Sequence, residues 1–160
     1  MAKKKQSAKE YGDRVVAKNR RASFDYELGD RFEAGLVLIG SEVRSLRESS
    51  ADLTDAWVDI DRRLQATVHG MNIPHMKHAA FGHKEKRPRR LLLHAAEIQK
   101  LKQAAERDGM TLIVTQCHFK NNRAKIEICV GRGKKQHDKR HALREKDAAR
   151  EARVSARRER

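Results

Sequence analysis

The sequence predicts a mainly β protein: a small, closed, antiparallel barrel with one or more short helices and a basic C-terminal tail. Three observations support this prediction. About six short segments show the alternation of strands, separated by Gly, Pro, Asp and Asn. One amphipathic helical pattern lies between the late strands. The length of 160 residues suits one ordinary domain.

The first strand pattern begins at Tyr26 and is clearest over residues 32–39. Gly40 interrupts this pattern. Ser41 is expected to cap a short helix that ends at Arg47, because a serine side chain can accept a hydrogen bond from the first helical turn.

The middle of the chain predicts a hairpin followed by a loop. Residues 56–60 and 64–69 alternate and are separated by a short polar turn, which is typical of paired strands. Residues 71–73 form another short extended piece. Residues 75–90 lack periodicity and become strongly basic over 84–90, so we expect an exposed loop there.

The last part of the barrel combines a helix and a second hairpin. Apolar residues at helical spacing predict a helix over residues 94–108, which Gly109 terminates. Residues 111–119 and 124–130 alternate as strands. The turn between them, residues 120–123, contains two Asn, which tolerate positive φ.

This pattern leaves the type of barrel open. The OB-fold is the commonest RNA-binding barrel of this size. The pattern alone does not separate it from an SH3-like barrel or an α+β sandwich.

The net charge of +15 is concentrated at the two ends of the chain. Residues 1–21 carry a net charge of +6 and residues 131–160 one of +7, whereas the remaining 109 residues carry only +2. Basic ends of this kind usually bind polyphosphate, because neutralising phosphates releases counterions. Two solvated, solubilising tails are the alternative.

The chain is therefore divided into a basic N-terminal segment (1–18), a barrel (19–132) and a basic tail (133–160). The N-terminal segment is expected to be disordered alone. The tail is rich in helix formers, but it has only two large aliphatic residues, Leu143 and Val154. We expect it to be disordered when free, to become helical beside an anionic partner, and not to pack on the barrel.

Catalysis, metal binding and cofactor binding find no support in the sequence. His75, His78 and His83 lie in a basic loop without Cys or carboxylate ligands beside them, so they are interpreted as surface residues. Residues 131–135 lack the glycine spacing and the Ser/Thr of a phosphate-binding loop. We expect a protein that is not an enzyme and that holds no metal and no cofactor.

Cys117 and Cys129 lie in different strand patterns without a CxxC pair, which indicates a reducing compartment. No apolar run approaches the length of a membrane span, and no secretory signal is expected behind the basic start. We therefore expect a cytoplasmic monomer without membrane association.

Aromatic residues make up only 4% of the chain, and Phe119 is the only one in the final hairpin. A sheet that stacks unpaired bases would need more of them. The composition favours recognition of a folded RNA through its shape and phosphates.

Several motifs resemble the SmpB family in order and spacing over about residues 15–160. The most specific is the string Gly133-Lys134-Lys135-Gln136-His137-Asp138-Lys139-Arg140. The others are Asn19-Arg20-Arg21-Ala22, Asp25-Tyr26, Phe32-Glu33-Ala34-Gly35, Gly40-Ser41-Glu42-Val43-Arg44-Ser45-Leu46-Arg47 and Leu91-Leu92-Leu93-His94.

The resemblance implies an OB-type barrel that binds the transfer-RNA-like domain of transfer-messenger RNA (tmRNA, or SsrA) and delivers it to stalled ribosomes. It also implies that residues 133–140 form a decoding-centre segment and that the tail enters the empty messenger channel of the small subunit. The residues carried over to the RNA-binding face are Asn19, Arg20, Tyr26, Glu33, Leu92, His94 and Lys125.

Each carried-over role has an alternative. Lys125 would neutralise a phosphate. Tyr26 would stack on a base or ribose, or would pack in the barrel. Leu92 would press on an unstacked base, or would belong to the core. Glu33 would accept donors from base edges and orient nearby cations, or would be an exposed strand carboxylate.

Asn19 and His94 offer both donors and acceptors, but His94 could merely cap its helix. Gly133 would provide a flexible exit from the barrel. The chain departs from the family pattern at Ser23-Phe24, where many relatives have Arg-His, and at Trp57 and Arg132, where Tyr and Lys are frequent. A ribosome assembly factor is the alternative function.

Overall fold

The computed structural model describes residues 14–76 and 82–135, together with Arg144, Asp147, Ala148, Arg150 and Glu151. The strands are β1 (Arg14–Lys18), β2 (Tyr26–Leu36), β3 (Trp57–Ile60), β4 (Ala66–His69), β5 (Arg89–Leu92), β6 (Met110–Lys120) and β7 (Arg123–Gly133). The helices are α1 (Ala22–Asp25), α2 (Gly40–Glu48) and α3 (Ala95–Ala105).

All strand pairings are antiparallel, and six of the strands close into a ring. The order is β6-β3-β4-β5-β2-β7, and β7 pairs back onto β6. Strand β1 is added to β6, beyond the point where Trp57 of β3 pairs with Ile113. The predicted fold class, a mainly β closed antiparallel barrel with short helices, is confirmed.

The interior of the barrel is apolar and closely packed. Phe119, Ile126 and Ile128 project inward from the long β6–β7 hairpin and are at most 2% exposed. Leu101 of α3 is fully buried against the same core, so the helix packs on the barrel. Burial of such side chains stabilises a fold by about 1.5–3 kcal/mol each.

The turn predicted between the last two strands is confirmed, whereas two other element boundaries differ from the predictions. Asn121 and Asn122 have φ values of 50° and 60°, the conformation of a two-residue hairpin turn. The predicted end of the helix at Asp108 is wrong: α3 ends at Ala105, and Gly109, at a φ of 75°, lies in the turn that leads into β6. The first hairpin also forms, but its second strand begins at Ala66 and not at Leu64, which lies in the turn at a φ of 59°.

The prediction that residues 1–18 lack structure is wrong for residues 14–18, which form β1. Val16 and Ala17 are both buried, and a bulge between Val15 and Ala17 allows two successive side chains to face inward. This bulge removes the alternation on which the strand prediction depended. Residues 1–13 lie outside the described part of the chain.

The predicted cap of α2 is also wrong. Ile39 takes the N-cap position, and its N–H donates to the Glu42 carboxylate at 3.0 Å. The Ser41 hydroxyl instead lies 3.2 Å from Nδ1 of His83. Of the two hydrogen bonds of a capping box, the one from the N-cap N–H to the carboxylate three residues later is therefore present. The one from a polar N-cap side chain is not possible, because isoleucine has none.

The basic segment 84–90 is not simply an exposed loop, because Arg89 is fully buried at the start of β5. Its guanidinium donates to Glu42 at 2.8 Å and to the carbonyl of Met71 at 2.7 Å. Arg87 reaches the same carboxylate at 2.6 Å. Glu42 is also fully buried, so two arginines hold one buried carboxylate across 45 or more residues of sequence.

This arrangement decides the charge state of Glu42. Burial opposes ionisation of the carboxyl, but hydrogen bonds from the two guanidinium groups and from the Ile39 N–H outweigh it. The pKa of Glu42 therefore lies below its ordinary value of 4.5.

The interpretation of His83 as a surface residue is wrong. It is 6% exposed, and its Nε2 lies 3.0 Å from the carbonyl of Ile73. His75 is 5.0 Å away, ring to ring, whereas His78 lies outside the described residues. Within the described ranges, no group of three or more His, Cys, Asp or Glu could hold a metal ion.

The structure describes five residues of the tail beyond Lys135. Arg144, Asp147, Ala148, Arg150 and Glu151 are helical and exposed. The remaining tail positions, 136–143, 145–146, 149 and 152–160, lie outside the described residues. The ordering of the tail by the ribosome stays a prediction.

Candidate RNA-binding surface

Four of the carried-over residues line one groove on the barrel. Glu33, Leu92, His94 and Lys125 come from β2, β5, the start of α3 and β7, respectively. Strand pairing brings them together, because Gly35 lies opposite both Leu92 and Lys125. We call this groove the primary groove.

Leu92 is exposed, so the alternative of a core leucine is wrong. It is 58% exposed, whereas the preceding Leu91 is 4% exposed and faces the core. A Cβ at Gly35 would lie 3.3 Å from the Cβ of Leu92, tighter than most such contacts. The glycine therefore leaves space for Leu92 on the outer face of the sheet.

A matched pair of variants separates these two leucines. Leu92→Ala should change the free energy of unfolding by no more than about 0.5 kcal/mol, yet weaken RNA binding about tenfold through lost apolar contact. Leu91→Ala should lower the free energy of unfolding by about 2–5 kcal/mol. Chemical denaturation and RNA titration measure both effects. A destabilised Leu92→Ala variant with unchanged RNA affinity would contradict the placement of Leu92.

His94 occupies the N-cap position of α3, but its side chain makes no capping hydrogen bond. Its backbone N–H donates to Glu97 at 3.0 Å instead. His94 therefore caps α3 through its position and its backbone N–H, which is the alternative role. The exposed imidazole remains available to a ligand in the primary groove.

Glu33 is the centre of a cluster of positively charged and polar side chains. Its carboxylate accepts hydrogen bonds from Lys125, from Lys120 at 3.3 and 3.4 Å, and contacts Nε2 of His118 at 3.1 Å. The hydrogen bond from Lys125, followed by those from His118 and Lys120, lowers the pKa of Glu33 to about 2 despite partial burial.

The carboxylate is thus ionised at neutral pH and already accepts from two ammonium groups. Glu33 is exposed on β2, as the alternative had it, and it also orients two cations: it holds Lys125, which lines the primary groove, beside Lys120, which does not. Its direct contact with a base edge stays a prediction.

Both polar atoms of the Asn19 side chain form hydrogen bonds with backbone groups of the barrel and the adjoining turn. Its Oδ1 accepts from the N–H groups of Arg21 at 3.2 Å and Ala22 at 3.1 Å. Its Nδ2 donates to the carbonyls of Leu53 at 2.9 Å and Val114 at 3.3 Å. Asn19 therefore holds the turn between β1 and α1 against the barrel, which limits its capacity to contact RNA directly.

Tyr26 begins β2, before the register shift that separates it from Glu33, and it does not line the primary groove. It is partly exposed and lines a second depression together with Asn19 and Trp57. Both alternatives for Tyr26 remain open. Arg20 lies nearby in sequence and is exposed.

Trp57 stands out in the sequence only as a departure from the family pattern. The structure shows its ring stacked on His69, with centroids 4.7 Å apart, while 47% of the residue stays exposed. The predicted hairpin did not show this contact, because a turn over 61–63 places Thr67 opposite Trp57, whereas the observed turn extends to Gln65 and places His69 there.

The root of the tail is attached to the barrel more firmly than predicted. Gly133 still pairs with Tyr26, and it is not at a positive φ. Lys134 then donates its N–H to the Asp25 carbonyl and its Nζ to the Ser23 carbonyl, both at 2.9 Å. The flexible exit predicted at Gly133 is therefore wrong; the ordered attachment continues through Lys134.

Of the string 133–140, which the resemblance assigns to the decoding centre, the structure describes Gly133, Lys134 and Lys135, and these are exposed or half-buried. Gln136, His137, Asp138, Lys139 and Arg140 lie outside the described residues.

Cys117 and Cys129 are free and buried, and burial raises the pKa of the Cys117 thiol to about 12. No helix in the described ranges is long and apolar enough to cross a membrane.

Comparisons with known proteins agree with the motifs. The family model described as SmpB protein matches residues 16–158. The SsrA-binding protein of Sorangium cellulosum is 50% identical over 143 residues, covering 89% of this chain and 88% of that protein. The SsrA-binding protein of Thermobifida fusca is 43% identical over 161 residues, covering the whole of both chains.

A solved structure agrees as well. It is described as "tmRNA-SmpB: a journey to the center of the bacterial ribosome", and one of its chains is 31% identical with a TM-score of 0.66. The match covers 81% of this chain and 94% of that one. By its sequence motifs, its relatives and its fold, this chain belongs to the SmpB family.

Proposed function

We propose that this protein binds the transfer-RNA-like domain of tmRNA and delivers it to stalled ribosomes for trans-translation. The primary groove carries this proposal, because it gathers Glu33, Leu92, His94 and Lys125 from four separate segments onto one exposed surface. The relatives named SsrA-binding protein and the tmRNA-SmpB structure support the same ligand and the ribosome as partner.

The groove combines the contacts that a folded RNA needs. Lys125 presents an ammonium group for a backbone phosphate, and Leu92 presents an apolar surface for an unstacked base. His94 adds a ring with one donor and one acceptor. These groups recognise an RNA shape with little reading of base sequence.

The tail would act separately from the groove, in the decoding centre and the empty messenger channel. Residues 131–160 carry a net charge of +7, which suits a channel walled by RNA. We further propose that the protein works in the cytoplasm as a monomer and catalyses no reaction of its own, its effect depending on binding and placement.

Binding of tmRNA should survive increasing salt better than binding of random RNA of the same length. The basic ends attract any RNA and are screened by salt, whereas the groove adds contacts that depend on shape. Affinities for both RNAs, measured from 50 to 300 mM salt, test this. Equal affinities at every concentration would show a nonspecific polycation and would refute the proposed function.

A further inference from the structure

A second pocket adjoins the primary groove on the far side of Glu33. It is lined by Glu33 together with Arg14, Val15, Gln116, His118, Phe119 and Lys120. Glu33 and Phe119 line both recesses. The two recesses therefore form one continuous surface that extends from β5 across β2, β7 and β6 to β1.

The side chains in this pocket share the outer face of the sheet. Gln116, His118 and Lys120 are alternate residues of β6, so they project to the same side. Val15 of β1 lies directly opposite His118 and is 46% exposed, although it belongs to a barrel strand. The pocket thus places one exposed apolar side chain between polar and charged ones.

Lys120 has the exposure and the donors that a phosphate would require. Its side chain is 50% exposed, and its contacts with Glu33, at 3.3 and 3.4 Å, are long for an ion pair. An ammonium group has three N–H donors, so Lys120 can bind a phosphate oxygen while it remains beside Glu33.

The rest of the pocket favours the same ligand. Gln116 adds an amide donor, and Arg14 adds a guanidinium at the exposed rim. Glu33 is the one acidic residue of the lining, and its charge is offset by two lysines. His118 is only 15% exposed and contacts Glu33, so it supports the carboxylate and does not form the surface itself.

We propose that this pocket is a second RNA subsite, in which Lys120 and Gln116 bind one backbone phosphate and Val15 packs against the adjoining ribose. The inference rests on the proposed function, because it extends the same RNA ligand beyond the primary groove. Glu33 then has a shared role: it holds Lys125 toward one recess and Lys120 toward the other.

Lys120→Met should reduce the slope of log affinity against log salt for tmRNA by about 1, because one phosphate contact is lost. The affinity at low salt should fall about tenfold. Gln116→Glu should weaken binding to a similar extent, because it places a negative charge beside the same phosphate and leaves the Lys120–Glu33 pair intact. Lys100→Met, an exposed lysine of α3, is the matched control and should leave the affinity within twofold.

An unchanged salt slope in Lys120→Met, or an unchanged affinity in Gln116→Glu, would overturn the second subsite. The outcome is separable from failure of the proposed function. A wild-type protein that prefers tmRNA, with variants that bind as it does, refutes the subsite alone. A wild-type protein without any preference for tmRNA refutes the proposed function.

Discussion

Replacing Arg89 by methionine is expected to lower the free energy of unfolding by about 3–5 kcal/mol, the usual cost of leaving one member of a buried ion pair alone. Arg89 and Glu42 are both fully buried, and Arg89 also donates to the carbonyls of Met71, Glu85 and Arg87. The substitution removes all of these donors and leaves the carboxylate with Arg87 alone to balance its charge.

Arg90→Met provides the matched control, because Arg90 is the next residue of β5 and is exposed. Its substitution should change the free energy of unfolding by no more than about 0.5 kcal/mol. Urea denaturation of the three proteins measures the difference. A loss below about 1 kcal/mol in Arg89→Met would mean that the buried arginine contributes little, as a well-packed apolar replacement sometimes shows.

The same ion pair makes stability depend on acid pH. The pKa of Glu42 is lower in the folded protein than its ordinary value of 4.5, so its contribution is fully present above that value and is lost as the pH falls. Glu33, with a pKa of about 2, acts in the same direction. Stability should therefore decrease from about pH 4.5 downward, and Glu42→Gln should flatten this decrease.

Removing the tail after Lys134 is expected to abolish peptide tagging on stalled ribosomes while it preserves capture of tmRNA. The groove lies on the barrel and keeps all of its contacts in this variant. The bonds from Lys134 to Asp25 and Ser23 make residue 134 the better truncation point than the start of the basic string at Gly133, because the end of β7 stays paired.

The control for charge is a full-length chain in which residues 135–160 are shuffled. This variant keeps the amino-acid composition and the positive charge of the tail but changes the order of its residues. Tagging should be lost in this protein too, and tmRNA affinity should stay within about threefold of the wild type at 150 mM salt, where surface charges are screened beyond about 8 Å. Tagging by the truncated protein would favour the alternative, a ribosome assembly factor.

Local signals predicted most of the barrel. The two-Asn turn and the positive-φ Gly109 mark element boundaries through backbone chemistry that depends on a few neighbouring residues. Strand β1 escaped prediction because its bulge places two adjacent apolar residues inward. The pairing of Glu42 with Arg89 escaped it because neither residue differs locally from a surface charge; only packing across 47 residues of sequence reveals the pair.

The site was predicted less completely. The motif resemblance identified Glu33, Leu92, His94 and Lys125, and the structure brings these four together. Sequence alone could not show that Asn19 is occupied by backbone groups, since its four partners come from three different segments. It also could not show Lys120 beside Glu33, because that contact depends on the register of β2, β7 and β6.

The β2–β7 ladder sets a fixed span between the primary groove and the root of the tail. Lys125 lies near one end of β7 and Gly133 at the other, a separation of about 26 Å at the rise of an extended strand. Backbone pairing holds the ladder on both sides of a register shift between Leu28 and Arg31. The ladder is thus a lever between the groove and the tail root, with one irregularity along its length. Inserting two residues into both strands would lengthen this lever by about 7 Å, while every side chain would keep its face of the sheet.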